Sequence, residues 1–127
     1  MIRTWTIIGV KDVRSSFRWY QRLLALPETE PHHDYFGQIV DTDGEVLLCL
    51  HSWGEHDHPS LASPENAPPG NGLLLFFRTD NYETALANAR TIVDHLDEEP
   101  GLNPATGTME FALRDPDGYY VHISATK

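Results

Sequence analysis

One cysteine, Cys49, is all the chain has, and a lone thiol excludes both an internal disulfide framework and a clustered-thiolate zinc or iron–sulfur site. The expected setting is a reducing cytoplasm. Basic residues are scarce as well: 9 Lys and Arg stand against 19 Asp and Glu, a formal charge of -10. Phosphate backbones and anionic lipid surfaces are repelled by such a chain, so neither nucleic acid nor a membrane is an expected partner. Long apolar runs are missing too. The stretch Met1 to Val10 is punctuated by Arg and Thr, with neither the apolar core of a signal peptide nor the ~20 apolar residues of a membrane span. What is there is 127 residues of ordinary globular composition, 40% apolar and 22% charged, enough for a single domain. A chain of this size removes about two thirds of its unfolded surface from water, so its core needs no staples. The acidic balance suits a solubilising surface, and it is also compatible with a cationic small molecule.

Period along the chain organises it into two halves. Arg3 to Val10 alternates and is rich in β-branched residues, which predicts a strand with Trp5, Ile7 and Gly9 on one face and Thr6, Ile8 and Val10 on the other. Asp12 then caps a helix whose apolar stripe is Val13, Phe17, Tyr20 and Leu24. After Pro27 comes a short edge segment, then strands Tyr35 to Val40 and Glu45 to His51 around the turn Asp41, Thr42, Asp43, Gly44. The segment 52–71, with four prolines and with Trp53, His56 and His58 near its start, is long for an inert connection, and Trp53 is placed to lid an opening. The second half replays the first. Gly72 to Thr79 reads as a strand, Asn81 as a cap, and Tyr82, Ala85, Leu86, Ala89, Ile92, Val93 and Leu96 as one helical stripe. Gly101 to Pro104 reads as a break, followed by strands Thr108 to Arg114 and Tyr119 to Ser124. Superposing Val10, Lys11, Asp12 on Thr79, Asp80, Asn81 sets Trp5 opposite Leu74, so the halves are diverged copies of one β-α-β-β-β unit.

With Val10, Lys11, Asp12, then Phe17 to Tyr20 and Leu23 to Leu26, then Phe77 to Asn81, and last the run Phe111 to Tyr119, the chain resembles the vicinal-oxygen-chelate superfamily. That superfamily holds glyoxalases, bleomycin-resistance proteins, fosfomycin-resistance enzymes and extradiol dioxygenases. The resemblance implies an α+β fold of two paired βαβββ modules forming a curled mixed sheet around a cleft, usually in a homodimer. Module one is 1–51, the connecting loop 52–71 and module two 72–127, all within a single domain, 1–127. No one reaction is implied, because the fold hosts metal-dependent enzymes beside proteins that only sequester a drug.

Enzymatic members take metal ligands at four positions, which match Trp5, then Leu48 or Cys49, then Leu74, then His122. Indole offers no lone pair and leucine no donor atom, so the standard metal site, and with it a resident cofactor, is not expected. Cys49 is preferred to Leu48 at the ambiguous position, since Val46, Leu48 and Leu50 then face the helix while Cys49 and His51 face the cleft. The alternative is a divalent metal, zinc, nickel, manganese or iron, held by His51, His56, His58 and His122.

The last hairpin allows a sharper expectation. Phe111 and Leu113 must face the same way as Val121 and Ile123, which requires an odd loop, and Asp115 to Tyr119 fits. Arg114 then opposes Tyr120, Ala112 opposes His122 and Glu110 opposes Ser124, so Glu110 approaches His122 on the diagonal. A carboxylate beside an imidazole serves an acid–base catalyst, and equally a hydrogen-bonded pair inside a half-buried sheet. Glu110 and His122 are therefore the catalytic candidates, and Trp5, Cys49, His51, Phe76, Glu110, Tyr120 and His122 the ligand-binding ones. The leading expectation is a protein that binds a small organic molecule without the standard metal. The competing one is a metal-dependent lyase, isomerase or dioxygenase using His122 and the loop histidines.

Overall fold

Along the first strand one exposed residue is followed by three buried ones, and the pairing register, rather than burial, orients the first half of the chain. The computed structural model describes residues 3–55 and 58–127, so the expectation for His56 lies outside the described residues. Strand β1 is Ile7–Val10, with Ile8 and Val10 buried and Ile7 exposed. It begins later than the alternation suggests. β1 is an edge strand, so residues 3–6 have a ladder partner on one side only: Cys49 N–H donates to the Thr6 carbonyl at 2.8 Å and Arg3 bridges Glu45 at 3.0 Å, without completing the ladder.

Helix α1, Val13–Leu23, starts where Asp12 accepts the Ser15 N–H at 3.2 Å and the Ser15 hydroxyl at 3.0 Å. These two hydrogen bonds hold the Asp12 carboxyl below its ordinary range. Val13, Phe17, Tyr20 and Leu23 are buried, whereas Leu24, expected on the stripe, lies just past the helix and is only half-buried. Strands β2 (Phe36–Val40) and β3 (Val46–Ser52) complete a three-stranded sheet of order β1-β3-β2, with β1 parallel and β2 antiparallel to β3. Gly37 marks the side that α1 covers, since a Cβ there would stand 2.9 Å from the Phe17 ring. Leu50 and Ile8 share its row by register. The edge segment expected after Pro27 is a loop rather than a strand. Pro27 and Pro31 lack the N–H a ladder needs, and the loop is tied down by side chains: Gln21 to Thr29 at 2.8 Å, and Arg14 to Glu30 and Asp34 at 2.7 Å each. The first half is therefore β-α-β-β.

The second half contains all five elements: β4 (Leu75–Thr79), α2 (Tyr82–Ile92), β5 (Glu98–Asn103), β6 (Thr108–Arg114) and β7 (Tyr120–Ala125). They form a four-stranded sheet of order β4-β7-β6-β5, with β4 parallel to β7 and the others antiparallel. Asn81 precedes α2 without a side-chain cap, and its own N–H is taken by the Thr79 hydroxyl at 3.0 Å. Leu96, expected on the helix, is buried beyond its end. The predicted break at Gly101 to Pro104 is instead largely strand. β5 is an edge strand and its pairing shifts between Glu98 and Gly101, so Pro100 falls in the irregularity, where a missing N–H costs no ladder bond. Phe111, Leu113, Val121 and Ile123 are fully buried on the face toward α2, where Tyr82 meets Phe111 edge-on at 5.6 Å.

The same turn occurs twice. Gly44 and Gly118 both take left-handed φ, 89° and 92°, and each donates its N–H to the first Asp of its turn, Asp41 at 2.9 Å and Asp115 at 3.0 Å. The chain divides into two compact units, Met1–Gln21 with Leu26–Pro69, and Arg22–Ala25 with Gly70–Lys127. Among the described residues no helix is long and apolar enough to cross a membrane.

Candidate functional site

The register of β6 and β7 puts the chemistry of the second unit on the sheet face turned away from α2. The pairs are Glu110 with Ser124, Ala112 with His122 and Arg114 with Tyr120, as the odd loop requires. Phe76 of β4 pairs with His122 from the other side, and the two rings stack at 5.4 Å. Glu110 reaches His122 diagonally: its Oε1 lies 2.8 Å from Nε2, with the two side chains only 9% and 15% exposed. The other Glu110 oxygen accepts from the Asn103 amide at 2.9 Å.

A carboxylate can only accept, so the neutral imidazole carries its proton on Nε2. Nδ1 is then a bare lone pair. It is buried and has no hydrogen-bond partner among the described residues, and the nearest carboxylate oxygen, Glu98 Oε2, stands 4.0 Å away. Two acceptors cannot bond each other, which accounts for that gap. Glu98 accepts instead from the Tyr120 hydroxyl, and the Arg114 guanidinium lies 4.5 Å over the Tyr120 ring.

Burial first, and then the Glu98 hydrogen bond and charge, push the Tyr120 phenol up to about 12. At neutral pH it is a donor and not a base. Because the folded value stands above the ordinary one, this preference for the neutral phenol stabilises the fold in full below pH 10 and is lost as pH rises through about 12. The expected outcome is that Tyr120→Phe flattens the alkaline fall in stability, measured by denaturant melts at pH 9 and above. Glu98→Gln is expected to lower the ultraviolet titration midpoint of Tyr120 without restoring the ordinary value, since burial, the larger cause, remains. Identical alkaline slopes for wild type and Tyr120→Phe would contradict this account.

The remaining sequence candidates lie on the first sheet. Cys49 pairs with Ile7 and Gln38, and His51 with Gly9 and Phe36, so these side chains share the face turned away from α1. Leu48 pairs with Ile39 on the opposite face. The thiol is fully buried and burial pushes it up, partly opposed by the Gln38 amide 3.9 Å away, so it is a weak nucleophile at neutral pH. His51 lies against the Ser52 carbonyl at 2.8 Å and edge-on to His58 at 5.2 Å. Trp5, before β1, is 56% exposed. Trp53, expected as a lid, is packed on β1: a Cβ at Gly9 would stand 2.6 Å from its ring. Gly9→Ala is expected to cost about 1–3 kcal/mol by displacing that indole, and to change the tryptophan fluorescence of the folded protein.

Residues 3–123 match the sequence profile of the Glyoxalase/Bleomycin resistance protein/Dioxygenase superfamily. The chain belongs to that superfamily. Similar solved structures include a family enzyme from Burkholderia phytofirmans PsJN, with TM-score 0.73, 18% identity and 97% of each chain covered. TioX from Micromonospora sp. ML1 has TM-score 0.70 and 12% identity over 100% of both chains. A lactoylglutathione lyase from Agrobacterium tumefaciens has TM-score 0.67 and 14% identity over 98% of this chain and 93% of that one. At such identities the likeness is one of fold. No curated protein sequence matches.

The superfamily's metal can be tested against the side chains at its four positions. Trp5 and Leu74 supply no lone pair, the Cys49 thiol is buried, and His122 Nε2 is held by Glu110. Among the described residues, no three His, Cys, Asp or Glu side chains gather as a metal would require. These residues do not fit the group.

Glu98 and Asn103 are the members of this constellation that sequence reasoning missed. Both sit on β5, which the prolines and glycine of the segment 100–104 disguise as a break. With β5 read as an edge strand opposite β6, Asn103 falls opposite Thr108 and Glu98 opposite Ala112, on the His122 face.

Proposed function

We propose that the protein binds a small organic molecule whose positively charged or hydrogen-bond-donating group sits beside an aromatic ring, and that it does so without the superfamily's metal. The observation that carries this reading is His122 Nδ1, a buried acceptor with no partner among the described residues, with the Glu98 carboxylate 4.0 Å away. A single nitrogen bearing two N–H bonds spans two acceptors at that separation with ordinary hydrogen-bond lengths of about 2.9 Å. Phe76, 44% exposed and stacked on His122, offers a ring face for the apolar part of the ligand. The overall charge of -10 draws a cation toward the protein. The proposed ligand residues are Phe76, Glu110, Tyr120 and His122, all on the second sheet. The setting is the cytoplasm and the assembly a homodimer, which light scattering checks.

The test is a binding series on protein purified without a histidine tag, using benzylamine, benzyl alcohol and benzoate. Benzylamine is expected to raise the melting temperature most and benzoate least, with the response lost in His122→Ala. Preference for benzoate, or no response to any of the three, removes the reading.

A second reading is favoured by the 2.8 Å pairing of His122 with a buried carboxylate, which suits a general acid or base. In that case Glu110 and His122 are catalytic residues of a lyase, isomerase or dioxygenase. If nickel, zinc, manganese or iron raises the melting temperature while benzylamine does not, the metal-dependent version of this reading prevails.

A further inference from the structure

We propose that Asn103 is the positioning residue of this site: it pins the Glu110 carboxylate, and through it holds His122 as the Nε2–H tautomer with the Nδ1 lone pair presented to the ligand. The part concerning the ligand rests on the function proposed above, whereas the part concerning the tautomer does not.

Asn103 is itself fixed from several sides at the end of β5. Its carbonyl accepts from Thr106 N–H at 3.2 Å and Gly107 N–H at 2.7 Å, and its side-chain Oδ1 accepts from Ala105 N–H at 2.9 Å. Because a backbone N–H must face the amide oxygen, the NH2 group has to turn the other way, toward Glu110 Oε2 at 2.9 Å. The orientation of this amide therefore follows from the surrounding donors. Glu110 in turn has both oxygens engaged, one by Asn103 and one by His122. A glutamate anchored by one oxygen alone rotates about its last, softly restrained torsion, and a second anchor removes that freedom. Asn103, Glu110 and His122 thus form a chain running from a backbone-locked turn to the imidazole. Its direction is set at the Asn103 end, the only one of the three whose side chain is tied to the backbone of its own loop.

The consequence is chemical. With Glu110 held, the Nε2 proton has a fixed acceptor and Nδ1 is the only basic atom the neutral ring has left. The groups facing it are Glu98 from β5, Tyr120 from β7 and Phe76 from β4. None of these three groups donates to it, which leaves Nδ1 able to accept from a ligand donor.

The experiment reads the tautomer directly, by long-range nitrogen–proton NMR on labelled full-length protein without ligand, with His122 assigned by its loss in His122→Gln. Wild type is expected to show N–H character at Nε2 and a bare nitrogen at Nδ1. Asn103→Asp keeps the oxygen that serves Ala105, but loses the donor to Glu110 and places a second carboxylate against it. In that variant the two nitrogen signals are expected to converge or exchange places, and Asn103→Ala is expected to move them the same way. Benzylamine affinity is expected to fall about tenfold in Asn103→Asp, the scale of one lost hydrogen bond. A wild-type tautomer protonated at Nδ1 overturns the proposal even if neither variant folds, and so does a folded Asn103→Asp with unchanged nitrogen signals. If benzylamine fails to bind wild type while the nitrogen signals behave as expected, the proposed ligand is wrong and the role of Asn103 in setting the tautomer stands.

Discussion

Phe111→Ala is expected to lower the free energy of unfolding by about 3–5 kcal/mol. The ring is fully buried near the middle of β6, is met edge-on by Tyr82 of α2, and pairs in register with Ile123, itself fully buried. Removing it leaves a cavity that the flanking strands, locked in a ladder on both sides, cannot close. Domains of this size have a total stability of about 5–15 kcal/mol, so the loss is a large part of the whole and corresponds to a fall in melting temperature of roughly 10–20 °C. Circular dichroism melts check it. Phe111→Leu, which keeps most of the volume, should cost about 1–2 kcal/mol. A change below 1 kcal/mol for the alanine variant would mean that the helix-facing side of this sheet is not a closed core.

The second large effect belongs to the opposite face of the same strand. Glu110→Ala leaves two donors, His122 Nε2–H and the Asn103 amide, facing a gap in a wall that water reaches poorly, and each was bonded at under 3 Å. An unsatisfied buried donor costs about 1–3 kcal/mol, so a loss of about 2–4 kcal/mol is expected for the pair. Adding His122→Ala to Glu110→Ala removes one of the donors that Glu110→Ala leaves unpaired, so the double variant should be less unstable than the sum of the singles, by about 1–3 kcal/mol. Strict additivity in that cycle would show that the 2.8 Å contact contributes nothing. Glu110→Gln should cost less than alanine, because its amide oxygen still accepts from one of the two.

The two faces of β6 also show why parts of this protein were readable and parts were not. The β6–β7 hairpin is local: alternation within each strand and an odd loop between them leave a single register, and the approach of Glu110 to His122 follows from it. Asp115 to Gly118 and Asp41 to Gly44 were legible for the same reason, since each turn closes on itself. β5 was not. Pro100, Gly101 and Pro104 carry the marks of a break, and only the position of the strand at the sheet edge makes them tolerable within or beside it. The strand expected after Pro27 failed in the opposite direction, because that segment is held by Gln21 and Arg14 side chains, which no periodicity reveals. Trp53 could be expected over an opening, yet its ring found the space left by the missing side chain of Gly9, a contact across more than forty residues.

By itself, the order of residues determined the alternation of helices and strands, the repeated turn, the belonging of Cys49 rather than Leu48 to the face away from α1, and the chemistry missing at Trp5 and Leu74. Each depends on residue type or on spacing within a few positions. Only the tertiary structure decided that Asn103 and Glu98 share the sheet face that carries Glu110 and His122, because that depends on a bulge that changes which residues of β5 share a face. It also decided that one imidazole nitrogen is bonded and the other is left bare, since a lone pair is free or satisfied only according to what three strands bring around it.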